Sequence, residues 1–582
     1  MRSSVDTDRT QVPTRQNSLG HAHMDPLEEK KTNMDVDPDS PDSQTTLAQH
    51  QATLDRLASR QQYDDSFDGI DVVDGTRIDN TSNSTLPTDK DLEKGEEDAD
   101  TRPPHHPPHP PKDPNLIEWD GPLDPENPMN WPISKKWITT IALGFMTFCV
   151  TFASSVFSNA TVDVARLYHV STEVSTLGTS LFVLGFAVGP LVWGPGSEIF
   201  GRKTPLFFGY FCFAIFQIPV AVAQNLYTIM LCRFFGGCFA SAPLAIVGGA
   251  LADFWGPVDR GIAVCVFACA TFIGPIAGPI MGGFITQSYL GWRWTAWITL
   301  IMASFLGSIG FLLVPETSHA KILQSRARAL RFETQNWAIH SQADTIPIDL
   351  HSLLITYFLK PFKMLVQEPI LLLVTIYMAL IYGILYLFFE AYPISFQEHR
   401  GWNQGVGALP FISIMIGVVF GALTIVWVTK TRFARKLAKH GRVIPEERLP
   451  PMILGAVLLP IGLFWFAWTS SPHISWVPQV LAGILIGWGI LMVFLQGLNY
   501  LIDVYMWNAN SAIAANTFLR SFAGAGFPLF ATAMYRNLGV AWATSLLAFL
   551  CVAMVPAPVA FYFYGRRIRA MSKFSPNLPG AK

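Results

Sequence analysis

The chain has 582 residues, of which 50% are hydrophobic and only 14% charged, with a formal net charge of −2. A soluble protein of ordinary composition carries roughly a quarter charged residues, so a wholly water-soluble fold is excluded. No basic stripe accompanies the near-neutral balance, and no nucleic-acid partner is expected.

The charge is concentrated early. Residues 1–135 are rich in Asp, Glu, Ser, Thr, Pro and Gln and poor in aromatics. Such a segment cannot bury enough apolar surface to offset its chain entropy, and it is expected to be a disordered tail. Its first thirty residues hold no apolar core, so no signal peptide is expected. Near its end, "RPPHHPPHPPKDPN" (Arg102 to Asn115) favours extended polyproline II and reads as a stiff polar spacer. His105, His106 and His109 lack the His–Cys spacing of a metal site, so neither metal nor cofactor is expected.

A bilayer-crossing helix needs about 20 mainly apolar residues. Windows of that kind fall at 137–157, 176–194, 205–223, 227–251, 262–285 and 295–314, then at 368–389, 407–428, 452–469, 477–498, 511–533 and 540–564. The expected fold is therefore an all-α membrane protein with twelve spans. Six lie in a first half, 136–316, and six in a second, 367–565, with a polar loop at 317–366 between them and a tail at 566–582. With the N-terminus in the cytoplasm, inside loops carry Arg202, Lys203, Arg260 and the cluster from Lys430 to Arg448, whereas outside loops carry only Arg166, Arg293, Arg400 and Arg536. That asymmetry places both termini inside. "SNAT" then puts Asn159 in a glycosylation sequon on the first outside loop, while the matching Asn80 and Asn83 fall on the cytosolic tail. All seven cysteines lie in apolar segments and read as small buried hydrophobes.

Charges inside spans are expensive and mark function by default. Arg233, in "LCRFFGG" of the fourth span, must face a partner or a wet cavity. In the seventh span Tyr382, Tyr386 and Glu390 recur at fourfold spacing, and in the tenth Gln496, Asn499, Tyr500 and Asp503 share one helical face. Both stripes are expected to line a substrate cavity, with interfacial placement the alternative for Glu390 and Asp503. Aromatic walls with one carboxylate suit amphipathic or cationic compounds. In the turn "GPGSEIFGRK", Glu198 and Arg202 can pair with each other or with a neighbouring helix end. Asp253 ends the fourth span and Asp503 the tenth, and 21 residues beyond each stand Gly274 and Gly524, a trace of internal duplication. No Gly-rich loop ending in Gly-Lys-Ser/Thr and no catalytic constellation occurs. Movement driven by an ion gradient is the chemistry left.

These motifs resemble those of the major facilitator superfamily, and specifically of the fungal twelve-span drug:proton antiporters. "GPGSEIFGRK" is similar to the superfamily's cytoplasmic-loop motif, with Gly196 in place of its Leu, Glu198 of its Asp and Ile199 of its first basic residue. "GPIAGPIMGG" fits the fifth-span antiporter motif at Gly274, Gly278, Pro279, Gly282 and Gly283, and "PETSHAKIL" and "AANTFLRS" resemble the fungal branch. The resemblance spans residues 118 to 570 and implies proton-coupled export of drugs, polyamines or secondary metabolites. It assigns Arg233 to proton coupling, and Glu198, Arg202 and Asp253 stand beside it as candidate coupling and gating residues. A monomer in the plasma membrane is expected, with the vacuolar membrane as second choice. The same fold serves nutrient importers, and a non-transporting receptor is the more distant alternative. The side-chain-free face Ala270, Gly274, Gly278 and Gly282 allows close helix approach. Ser413, Gly417 and Gly421 form a similar stripe on the eighth span, and the two stripes are expected to meet between the halves.

Overall fold

The apolar windows fold as long helices, the only open-chain structure that satisfies every backbone polar group inside a bilayer. A computed structural model describes residues 113–345, 355–440 and 443–575. The expectations for the tail up to residue 112, including Asn80, Asn83 and the three histidines, lie outside the described residues.

Eleven helices among the described residues are long and apolar enough to cross a membrane. The last, Ala509–Arg569, reverses direction at Gly539, whose φ of 72° leaves the helical region. Tyr535 and Thr544 share a hydrogen bond of 3.2 Å across that point. Nine residues of unbroken helix would hold them about 13 Å apart, so this stretch makes two crossings and the total is twelve.

In the first half, the first span (Ile133–Ser155) packs on the fifth (Pro257–Gln287), and the fourth (Leu226–Phe254) packs on the second (Thr172–Val188) and third (Lys203–Ala221). In the second half, the seventh (Pro369–Tyr392) packs on the eleventh, and the tenth (Trp476–Tyr505) on the eighth (Phe411–Val428) and ninth (Leu449–Trp468). The halves meet along two seams, second against eleventh and fifth against eighth.

The duplication suggested by Asp253 and Asp503 is structural. Arg202, at the start of the third span, pairs with Asp253 at 3.1 Å, and Arg448, at the start of the ninth, pairs with Asp503 at 2.9 Å. Each half thus ties the start of one helix to the end of the next with the same ion pair. Glu316 caps the first of these corners, accepting from the Arg202 and Lys203 backbone N–H groups at 2.8 and 3.0 Å.

The tail expected to be disordered through residue 135 is ordered from 113 onward. Leu116–Ile117 pairs in parallel with His340–Ser341 of the central loop. The loop itself contains a helix, His319–Thr334, whose Arg326 binds Asp120 and, at 3.0 Å, Asp124. Sparse apolar content here is offset by ion pairs and backbone bonds, which composition alone does not register. The backbone N–H groups of Asp120 and Glu126, and then Arg326, hold the Asp124 carboxyl below its ordinary value. A depressed carboxylate stabilises the folded form above its unfolded pKa and loses that contribution as pH falls through the folded one. Arg326→Ala is therefore expected to expose residues 113–130 to protease at neutral pH. Wild type should become equally sensitive only in acid below the usual carboxylate range. Unchanged cleavage of the variant would show that the segment is held by other contacts.

Candidate transport path

The glycine face of the fifth span is used, but against a different partner from the one expected. A Cβ on Gly274 would sit 2.0 Å from Thr151 Oγ1, and one on Gly278 would sit 1.9 Å from Ser155 Oγ and 2.8 Å from the Val156 nitrogen. A Cβ on Gly282 would meet the Val156 carbonyl at 2.6 Å. The stripe therefore grips the first span within its own half. The eighth-span stripe likewise faces the tenth: Cβ atoms on Gly417 and Gly421 would lie 2.1 Å from the Ile484 carbonyl and 3.2 Å from that of Trp488. Fifth and eighth spans do adjoin, through other faces. The physical reason is that small residues let backbones approach, and the closest approaches are inside each half.

Pro279 and Gly283 sit where the two kinds of contact meet. The Pro279 carbonyl accepts a hydrogen bond from the Asn159 side chain at 2.7 Å. A Cβ on Gly283 would be 2.7 Å from the Gln404 carbonyl of the other half. Asn159 is thus a half-buried packing residue in a short 3₁₀ turn, Val156–Ala160, with its amide already engaged. It is not presented as a free glycosylation sequon.

Arg233 is buried, 2% exposed, and its charge faces backbone rather than an open cavity. It donates to the carbonyls of Gly178 at 2.9 Å, Ala153 at 2.8 Å and Ser154 at 3.2 Å. Its guanidinium carbon lies 4.8 Å from the Phe157 ring centre and 4.5 Å from that of Phe182. One side chain thereby ties together the first, second and fourth spans.

From that clamp a polar chain crosses into the second half. Ser154 donates to the Thr151 carbonyl at 2.6 Å, which leaves its oxygen free to accept from the Tyr386 hydroxyl at 2.8 Å. Tyr386 and Tyr382 stand 3.5 Å apart, oxygen to oxygen. Next comes Arg520 of the eleventh span, 9% exposed, 5.5 Å from the Tyr382 ring and 4.8 Å from that of Phe494. Phe494 in turn meets Phe272 of the fifth span edge to face at 4.7 Å. Tyr382 and Tyr386, paired on the seventh span, thus stand at the contact between the halves. Arg520 is absent from the residues expected to carry function, although the rule that singles out Arg233 applies equally to a charge in the window 511–533.

The rest of the expected cavity lining divides. Glu390 accepts from Thr532 at 3.4 Å, two turns along the helix from Tyr382. Gln496 and Asn499 are buried in the tenth span, and the Gln496 carbonyl oxygen has no hydrogen-bond partner. Tyr500 and Asp503 lie too far along the same face. Tyr500 stacks on Phe561 of the last span at 6.1 Å, and Asp503 is taken by Arg448. The one helical stripe thus runs from the buried Gln496 and Asn499 into the Arg448–Asp503 corner.

Both ends of the seam are joined by polar links between halves. On the face bearing the basic loops, Asn510 donates to Glu198 at 2.7 Å. On the opposite face, Thr286 donates to the Gln404 side chain at 3.1 Å, and the Gly405 backbone N–H to Gln287 at 3.2 Å. Arg202 is committed to Asp253 and Ser197, the latter at 2.9 Å.

Residues 143–528 match the family model of the Major Facilitator Superfamily. A citrinin biosynthesis cluster MFS transporter of Monascus ruber is 61% identical over 463 residues, covering 79% of this chain and 93% of the relative. An ascochitine biosynthesis cluster MFS transporter of Didymella fabae is 57% identical over 467 residues, covering 80% and 90%. Among solved structures, the proton:xylose symporter XylE bound to 6-bromo-6-deoxy-D-glucose matches with a TM-score of 0.54 at 15% identity, covering 75% of this chain and 96% of that one, a likeness of fold. Twelve crossings in two halves, the repeated Arg–Asp corner and these matches together make the chain a member of the major facilitator superfamily, a multi-pass membrane transporter and not an enzyme.

Proposed function

We propose that this transporter exports amphipathic secondary metabolites in exchange for protons, by alternating access at the seam between its halves. The observation that carries the reading is the polar chain Ser154–Tyr386–Tyr382 ending at Arg520, enclosed between a link on each face of the bundle. Opening one face requires the Glu198–Asn510 link to break; opening the other requires the Gln404 and Gln287 links to break. Glu390, an ionisable carboxylate two turns along the seventh span from Tyr382, supplies a group that can take and release a proton as the faces alternate. Relatives whose printed names tie them to biosynthesis clusters support a metabolite as cargo. Lysines and arginines crowded on one face support cytosolic termini, and the plasma membrane is the site we favour.

The test is uphill accumulation of labelled amphipathic metabolites by inside-out vesicles with an imposed proton gradient. Accumulation should collapse on adding a protonophore. Uphill transport that persists without the gradient would refute proton coupling, and uptake only in the reverse orientation would refute export.

A further inference from the structure

We infer that the cargo is an organic anion, an amphipathic carboxylate, whose charged end pairs with Arg520. The inference rests on the reading of the seam as the substrate path. Arg520 is a permanent cation more than nine-tenths buried inside the bundle. Its Nε has no hydrogen-bond partner, and among the described residues no carboxylate and no acceptor engages its guanidinium. That sets it apart from Arg233, whose guanidinium is spent on three backbone carbonyls.

The carboxylates that could neutralise Arg520 from adjoining helices are occupied elsewhere. Glu390 accepts from Thr532, Asp503 is paired with Arg448, and Glu368 accepts from Tyr505 at 3.2 Å and from the Lys573 backbone at 3.0 Å. A buried cation without a counter-charge is costly, and contact with aromatic faces recovers only a small part of that cost. A carboxylate arriving with the cargo fits the planar fork of the guanidinium and removes the penalty. Tyr382 and Phe494 provide aromatic surface beside the charge, extended by Phe272 against Phe494, which suits a ring-bearing or otherwise apolar body. A polyamine would bring a second positive charge to the same place, so the geometry argues against that member of the expected substrate range.

The probes are 2-naphthoate, its neutral amide 2-naphthamide and its cationic relative 2-naphthylmethylammonium. Equilibrium binding is measured on the purified full-length protein in detergent, with no gradient. Wild type should prefer the acid to the amide by roughly tenfold to a hundredfold, the range of a charge-assisted hydrogen bond, and should bind the amine least. R520Q should bind acid and amide alike. R520K should retain part of the preference, because it keeps the charge and loses the fork. If R520Q does not elute as a folded protein, R520K carries the comparison, and a wild-type preference in it overturns the assignment. The assignment is also overturned if wild type fails to bind 2-naphthoate, binds amide or amine as well as acid, or if folded R520Q keeps the acid preference. Wild type that selects the acid but does not move it against a gradient would sink the export reading and leave this one standing.

Discussion

Gly278→Ala yields a protein that unfolds far more readily than wild type, while Gly526→Ala yields one at least as stable. The added methyl at Gly278 would lie 1.9 Å from Ser155 Oγ and 2.8 Å from the Val156 backbone nitrogen, whereas a methyl at Gly526 meets nothing within 4 Å. Ser155 is itself buried and can rotate away only into packed surroundings, and the backbone nitrogen cannot rotate at all. Overpacking of a tight site costs roughly 1–3 kcal/mol, and a clash with backbone puts Gly278→Ala at or above the top of that range. The change at the half-buried Gly526, where an added methyl has room, should instead recover part of the ~1 kcal/mol by which Gly disfavours a helix relative to Ala. Thermal midpoints of the two purified variants decide the matter. Equal midpoints would mean that the first and fifth spans pack more loosely than described. Ser155→Gly in the Gly278→Ala background should restore only part of the loss, because the Val156 contact stays.

This outcome differs from what the sequence suggests, and the difference shows what a sequence can carry. Twelve windows were legible because lipid imposes one solution on an apolar backbone, and Asp253 and Asp503 were legible as a repeat because both terminate equivalent helices. The choice of partner for a small-residue stripe was not legible. Thr151, Ser155 and Asn159 of the first span recur every four residues just as Ser413, Gly417 and Gly421 do. Composition and spacing do not rank the two candidates; only the path of the chain does. The same limit applies to the tenth span, where a single stripe runs from the buried Gln496, whose carbonyl oxygen has no partner, to Asp503 in the Arg448 corner. Arg448 lies outside every apolar window, so its claim on Asp503 had no signature. Arg520 had one, a full charge within a span, and its importance emerges from the lack of any partner.

Arg233→Ala is expected to lose transport and folded protein together. The cavity-facing charge anticipated from the fourth span would contribute little to packing, and its removal would spare the fold. The observed side chain instead makes three hydrogen bonds to carbonyls on two neighbouring helices and lies between two phenyl rings. Truncating it leaves a void and strips charge-assisted bonds worth about 1.5–3 kcal/mol each in mutational series. Since such terms are not additive, roughly 3 kcal/mol or more is the expected loss in stability. Arg233→Lys separates charge from shape. A lysine keeps the cation but cannot fork to carbonyls of the first and second spans at once. If the clamp is what matters, both variants should show lowered thermal midpoints, and transport should track the folded fraction. If the charge drives coupling, Arg233→Lys should transport with its proton dependence intact, while Arg233→Ala should keep its midpoint and stop transporting. An Arg233→Ala protein with wild-type midpoint and wild-type transport would remove both roles. The clamp also bears on the path itself, because Ser154, one of its three acceptors, is the residue through which Tyr386 reaches the first half. Loosening Arg233 would therefore shift the end of the first span and, with it, the tyrosine pair that leads to Arg520.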